Sequence, residues 1–197
     1  SSATRVNEQG YIEKERENLL LQSNQFDTTW TISNANVTSG QSGYDGTNDA
    51  WKFTENAATN EHQLRQNFSL SGVHTLSIIA KSAERDFLFF RMNLSGVWTN
   101  AVFNLSTGAV SSTGGFISAN MSDEGNGWYK CSAAFTNHTG STIQFQIGET
   151  ASNFYYTGID GYGIYIQDAQ LEQGLVATDY IETTTSSVAV GITNDIP

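Results

Sequence analysis

The sequence predicts an all-β protein, a jelly-roll β-sandwich of two antiparallel sheets, on three observations. Its apolar runs are short and alternate with period two, the spacing at which one side of a strand is dry and the other wet. Clusters of Gly, Asn, Ser and Asp separate those runs, among them SGQSGYDGTND at 39–49, SDEGNG at 122–127 and YTGIDGYG at 156–163. No helical period lies between them, which sets aside doubly wound and barrel α/β folds. At 197 residues the chain has room for one domain with tails, given roughly 100–200 residues per domain.

In chain order, residues 1–17 read as a connector, because KERE at 14–17 is charged and only Val6, Tyr11 and Ile12 could anchor the segment. The sandwich is expected over 18–184, from NLLL at 18–21 to the apolar patterning that stops near Ile181. Strands are expected at 64–68, 74–81, 87–94, 101–105, 127–135, 142–148 and 163–171, each an alternating run between breakers. In FLFFRMNL at 87–94 the alternation puts Leu88, Phe90, Met92 and Leu94 on the core side and Phe87, Phe89, Arg91 and Asn93 on the other. The same phase elsewhere places Leu64, Leu76, Ile78, Phe90, Met92, Phe145, Ile147 and Ile164 inside. Residues 185–197 lack aromatics, end on the only proline and read as a linker to a following segment.

Composition excludes several functions. Nine Lys and Arg stand against 20 Asp and Glu, a formal charge of −11, so a phosphate backbone or an anionic lipid surface would be repelled and no nucleic acid partner is expected. No run approaches the ~20 apolar residues that span a bilayer, and the opening residues have no apolar signal region, so no membrane insertion is expected. Disorder of the whole chain is excluded by 12% aromatic residues. The single cysteine, Cys131, can form no internal disulfide and no zinc cluster with His62, His74 and His138, and reads as a small buried hydrophobe.

Catalytic motifs are missing. Paired carboxylates at i, i+2 on one strand face would suit glycoside hydrolysis, but Glu149, Asp160, Asp168 and Glu172 fall at strand ends or in loops, and Asp123-Glu124 falls in a Gly-rich turn. There is no Gly-x-Ser-x-Gly elbow and no phosphate-cradling loop. The chain therefore reads as a non-enzyme, and recognition remains. Sugars are bound by flat aromatic rings against the apolar face of a pyranose, with Arg, Asn and Gln for the hydroxyls. Alternation gathers Arg65, Phe89, Arg91, Asn93, Gln144 and Gln146 on one sheet face as candidate glycan-binding residues. The competing reading is a plain solvated face. Trp30, Trp51 and Trp128 read as packing, whereas Trp98 in SGVWTN is expected in a turn, exposed, and joins the candidates.

Several stretches carry a resemblance: RVNEQGYIE at 5–13, NLLLQSNQFDTTW at 18–30, GYDGTNDAWKFTE at 43–55, SGVHTLSIIAKSAER at 71–85, NGWYKCS at 126–132 and GIYIQDAQLEQGLVATDYIETT at 163–184. Together they resemble modules of tail-fibre and other virion proteins of tailed bacteriophages. These in turn are similar to the jelly-roll carbohydrate-binding modules of bacterial cellulases and xylanases, with Asn-Leu-Leu…Phe-Glu at the start and Asp-x-x-Leu-Glu at the close. Here Asp27 replaces the Glu. The resemblance implies a non-catalytic, lectin-like module on a phage tail or capsid surface, acting outside the cell in host adhesion on a polysaccharide or cell-surface glycan. It implies several copies in the parent fibre, with the isolated domain a monomer. It also implies a structural calcium, for which the matching acids are Asp27 and Asp168. The alternatives are a spacer domain that binds nothing and a polysaccharide-degrading domain.

Overall fold

Alternation decides which side of each strand is dry, and it does so on two sheets in the computed structural model, which describes residues 4–6, 12–14, 16–94, 96–137 and 140–190. Twelve strands form these sheets: β1 (Thr31–Ser33), β2 (Ala35–Gln41), β3 (Ala50–Glu55), β4 (His62–Ser69), β5 (Gly72–Ser82), β6 (Phe87–Leu94), β7 (Val97–Asn104), β8 (Ala109–Ser112), β9 (Ser118–Gly125), β10 (Trp128–Asn137), β11 (Gly140–Gly148) and β12 (Gly163–Gln173). The front sheet runs β8-β7-β6-β11-β4-β1 and the back sheet β9-β10-β5-β12-β3-β2, all antiparallel. The chain crosses repeatedly from one sheet to the other, as a jelly roll does. No helix occurs among the described residues.

The eight side chains expected inside, from Leu64 to Ile164, are all fully buried. Between the sheets the aromatic residues form a relay: Phe26 against Trp30 at 5.4 Å, Trp30 against Phe145 at 5.7 Å, Phe145 against Phe90 at 5.1 Å and Phe90 against Phe103 at 4.7 Å. Tilted and edge-on contacts of this kind add to what burial of the rings already contributes. Trp30, Trp51 and Trp128 are buried as expected, and Cys131 lies fully buried in the core.

The expected strands are present with longer ends, and β1, β2, β3, β8 and β9 were not expected. Four of these are the outermost strands of their sheets. An edge strand carries polar residues on both sides, as ANVTSGQ in β2 and SANMSDEG in β9 do, and so loses its alternation. Trp98 is corrected by the same finding: it lies on β7, not in a turn, although it is exposed as expected. Asp123 and Glu124 likewise belong to β9.

The two flanks of the sandwich meet. Arg16–Asn18 pairs antiparallel with Val188–Val190, so this ladder crosses the expected domain limits at 18 and 184. Asn18, wholly buried, donates to the carbonyls of Ala169 (3.1 Å) and Ile181 (2.8 Å) and accepts from the amides of Leu20 and Leu171 (3.1 Å each). One side chain thereby ties the first residues of the domain to its last strand. That strand bulges between Gln167 and Gln170, where Asp168 adopts a φ of +55°. The bulge is held from outside by Asn24, which accepts the Asp168 amide at 3.2 Å, and by Ser23, whose carbonyl accepts the Ala169 amide at 3.0 Å.

Candidate functional site

The outer face of the front sheet is built around β6. Register places Arg91 between Gln144 of β11 and Asn100 of β7, and Gln144 in turn beside Arg65 of β4. The next row sets Phe89 beside Gln146, and Gln146 beside Gln63; beyond Arg91, Asn93 faces Trp98. Every residue expected on this face therefore lies on it. The alternation that made them legible also marks Gln63 and Asn100, which share the parity of Arg65 and Trp98 and were not singled out.

A loop at 149–155 covers part of the face. It starts after Gly148, a residue without a side chain because a Cβ there would stand 2.2 Å from the Phe89 ring. The loop lays Phe154 on Phe89 at 5.6 Å and on the Arg91 guanidinium at 4.3 Å. Trp98 covers the guanidinium from 5.0 Å, so Arg91 is held near two rings that favour a cation. Phe89 is thus corrected: it is on the face but buried under Phe154, so it supports the site and offers no surface of its own. Asn93 is used locally, its Oδ1 accepting the Gly96 amide at 2.7 Å in the β6–β7 connection. Phe154 and Glu61 could not be found by strand parity, because both lie outside the large strands.

The polar core of the face is dry and crowded. Gln63, Gln144 and Gln146 are buried. The Gln146 amide donates to Gln144 Oε1 at 2.7 Å, Glu61 Oε2 at 3.1 Å and Gln63 Oε1 at 3.4 Å. Glu61 also stands 3.5 Å from Arg91. Three buried atoms on this face have no hydrogen-bond partner among the described residues: Gln146 Oε1, Asn100 Oδ1 and Arg91 Nε. Buried polar atoms are normally satisfied, and leaving one unmade costs roughly 1–3 kcal/mol. Beside them Trp98 is 45% exposed. The face therefore combines a half-exposed indole, amide and guanidinium groups with unused hydrogen bonds just beneath the surface, and a rim loop.

The two expected acids have different settings. Asp168 lies in a cavity of about 500 Å³ on the other side of the molecule, lined by Tyr44, Asp45, Asp49, Tyr180 and Glu182 among others, whereas Asp27 is exposed and does not line it. Burial pushes the Asp168 carboxyl up to about 7, helped by the Asp49, Asp45 and Glu182 charges and opposed by a 3.0 Å hydrogen bond from the Tyr44 hydroxyl. Among the described residues no three His, Cys, Asp or Glu side chains are arranged to hold a metal ion.

The sequence matches no family model and no curated protein. Among solved structures, the chain is similar to the enzymatically active domain of tailspike protein 4 of bacteriophage CBA120, at 14% identity and a TM-score of 0.47, over 81% of this chain and 21% of that one. It is also similar to a CBM35 from Paenibacillus barcinonensis, at 16% identity and a TM-score of 0.41, over 74% of this chain and 94% of that one. A CBM4 structure gives 17% identity and a TM-score of 0.39, over 78% of this chain and 84% of that one. These likenesses concern the fold.

Proposed function

We propose that the chain is a non-catalytic glycan-binding module, and that the outer face of the front sheet around Arg91 is its site. The observation that carries this reading is the set of buried, unpartnered atoms, Gln146 Oε1, Asn100 Oδ1 and Arg91 Nε, next to the exposed ring of Trp98. Sugar hydroxyls both donate and accept, so a glycan bound with a small shift of the covering side chains can complete hydrogen bonds that the protein leaves open. The resemblance to phage tail-fibre modules supports a setting on a virion, where several copies attach to a bacterial or environmental polysaccharide.

Affinity electrophoresis of the whole chain in gels cast with a panel of polysaccharides tests the reading. Retention on at least one polymer is expected, with Arg91→Ala and Trp98→Ala abolishing it while the melting temperature moves by only a few degrees. Retention that survives both substitutions moves the site elsewhere. Failure to be retained on any polymer leaves a spacer domain, and release of reducing ends would make the chain an enzyme.

Calcium belongs to the same proposal only in part. The oxygens of Asp168, Asp45, Asp49 and Asn24 around one cavity are the hard donors that calcium prefers. Asp27 does not line that cavity, and no three of the described acids are arranged to hold an ion by themselves. Because a cation that binds only the folded state stabilises it, added calcium should raise the melting temperature and a chelator lower it. No response to either removes the metal from the account.

A further inference from the structure

Arg85, in the connection between β5 and β6, and Arg91, on β6, are used very differently. Arg85 is tightly paired: it donates to the fully buried Glu55 through Nε at 3.0 and 3.2 Å and through a terminal nitrogen at 2.6 Å. Arg91 has one loose acidic neighbour, Glu61, at 3.5 Å, and a buried Nε with no partner. A good charge-assisted bond to a carboxylate is shorter, about 2.7–2.9 Å, and a guanidinium has five N–H donors to spend. Arg65, two strands away across Gln144, is half-buried and its guanidinium has no hydrogen bond or ion pair among the described residues.

These two cations stand on one face of a chain whose formal charge is −11. Strand spacing puts their Cα atoms about 10 Å apart, a distance that two long side chains can close on one sugar acid or cover with the acids of neighbouring sugars. Glu61 is already a carboxylate lodged in this setting, with one oxygen near Arg91 and the other accepting from Gln146. It shows what fits there: a planar, two-oxygen anion between a guanidinium and an amide.

We propose that the ligand of this face is an acidic glycan, a polysaccharide bearing uronate carboxylates, with Arg65 and Arg91 taking the carboxylate and Glu61 acting as the internal anion that the ligand displaces from Arg91. This rests on the reading of the face as a glycan site. A neutral glycan would use the amides and Trp98 but would leave the Arg65 charge and the spare Arg91 donors unmatched.

The experiment compares retention of the whole chain on polygalacturonate, alginate and hyaluronan with retention on fully methyl-esterified polygalacturonate, dextran and a mixed-linkage β-glucan. Esterification removes the charge and keeps the polymer, so polygalacturonate should bind at least tenfold more tightly than its ester, and the difference should shrink several-fold in 300 mM salt as screening predicts. Arg65→Gln should weaken binding to the acidic polymers at least fivefold and to neutral ones less than twofold. Glu61→Gln, which keeps the shape and removes the competing charge, should strengthen acidic binding at least threefold, and its melting temperature checks that the fold is kept. Equal binding of polygalacturonate and its ester, or no effect of Arg65→Gln, overturns the acidic ligand. If the neutral polymers are then retained and Arg91→Ala abolishes that retention, the glycan site stands and only the charge preference falls. Retention on none of the six polymers overturns both.

Discussion

Asn18 makes four hydrogen bonds inside the protein, two donated and two accepted; three of them span the seam between the first and last parts of the domain, and the fourth, from the Leu20 amide, is local. Replacing it by Ala strands two carbonyls and two amides out of reach of water. At roughly 1–3 kcal/mol for an unsatisfied buried group, with partial relaxation, Asn18→Ala should cost about 3 kcal/mol. For a chain of this size that lowers the melting temperature by roughly 6–12 °C, and calorimetry reads it directly; a loss of less than two degrees would show the seam is held elsewhere. Asp168 gives a second residue-level test. Its carboxyl is raised to about 7 in the folded state from the ordinary 3.8, so the folded protein holds that proton more tightly than the unfolded chain. The resulting stability is fully present below the unfolded value and is lost as pH rises through 7. In chelator, the melting temperature should therefore fall between pH 5 and pH 8, and Asp168→Asn should flatten that fall. With saturating calcium bound at Asp168 the carboxylate form is the one stabilised, and the trend should reverse. At this scale parity in the sequence made Arg65, Arg91, Gln144 and Gln146 legible. It could not show that Phe89 lies under Phe154, because a covering loop leaves no periodic trace, nor that Asp168 is buried in a cavity while Asp27 is exposed, because a likeness of motif carries no burial.

Among the elements, most strands that face the core on one side were readable, although the core-facing β3 was missed, and the polar edges β2 and β9 were not. The ends of strands also escaped, as the breakers mark where a turn is possible and pairing decides where it occurs. The segment after β11 shows how an unreadable element can still be rigidly placed. Glu55, at the end of β3, accepts from Arg85, from the Tyr156 hydroxyl at 2.5 Å and from the Ile159 amide at 2.7 Å. The Arg85 guanidinium also stacks over Tyr156 at 5.2 Å and Tyr162 at 5.3 Å. This buried pair anchors 156–162 and, through it, the neighbouring loop that carries Phe154. Removing one partner of such a pair costs about 3–5 kcal/mol because the other charge is left uncompensated. Glu55→Gln should therefore lower the urea midpoint substantially and also weaken glycan retention, although Glu55 lies away from the site. Full retention in the folded variant would mean that the loop is placed without this anchor.

For the molecule as a whole, the sandwich class was visible in the sequence because an alternating core specifies two facing sheets, while the order of strands within each sheet depends on pairings far apart in the chain. The proposed site is one shallow face with the exposed indole of Trp98, and a sugar there would exchange water hydrogen bonds for protein ones at small net gain. Fusion to a trimeric scaffold should therefore raise apparent affinity for a polysaccharide surface by about 10²-fold when the geometry allows simultaneous engagement, as surface plasmon resonance on an immobilised polymer would measure. An isolated domain that binds as tightly as its trimer would exclude this dependence on copies.

The pairing of Arg16–Asn18 with Val188–Val190 also has a mechanical meaning. The outer ends of that ladder, Arg16 and Val190, are partners, so a load applied between them opens the hydrogen bonds one after another instead of loading them all at once. A ladder peeled in this way yields at low force. Behind it the Asn18 clamp, with bonds to both the amides and the carbonyls of the seam, takes the load next. Tension from the flanks of the module would thus be met first by a soft, reversible extension of a few residues, and the face carrying Arg91 and Trp98 would keep its shape while the tether stretches.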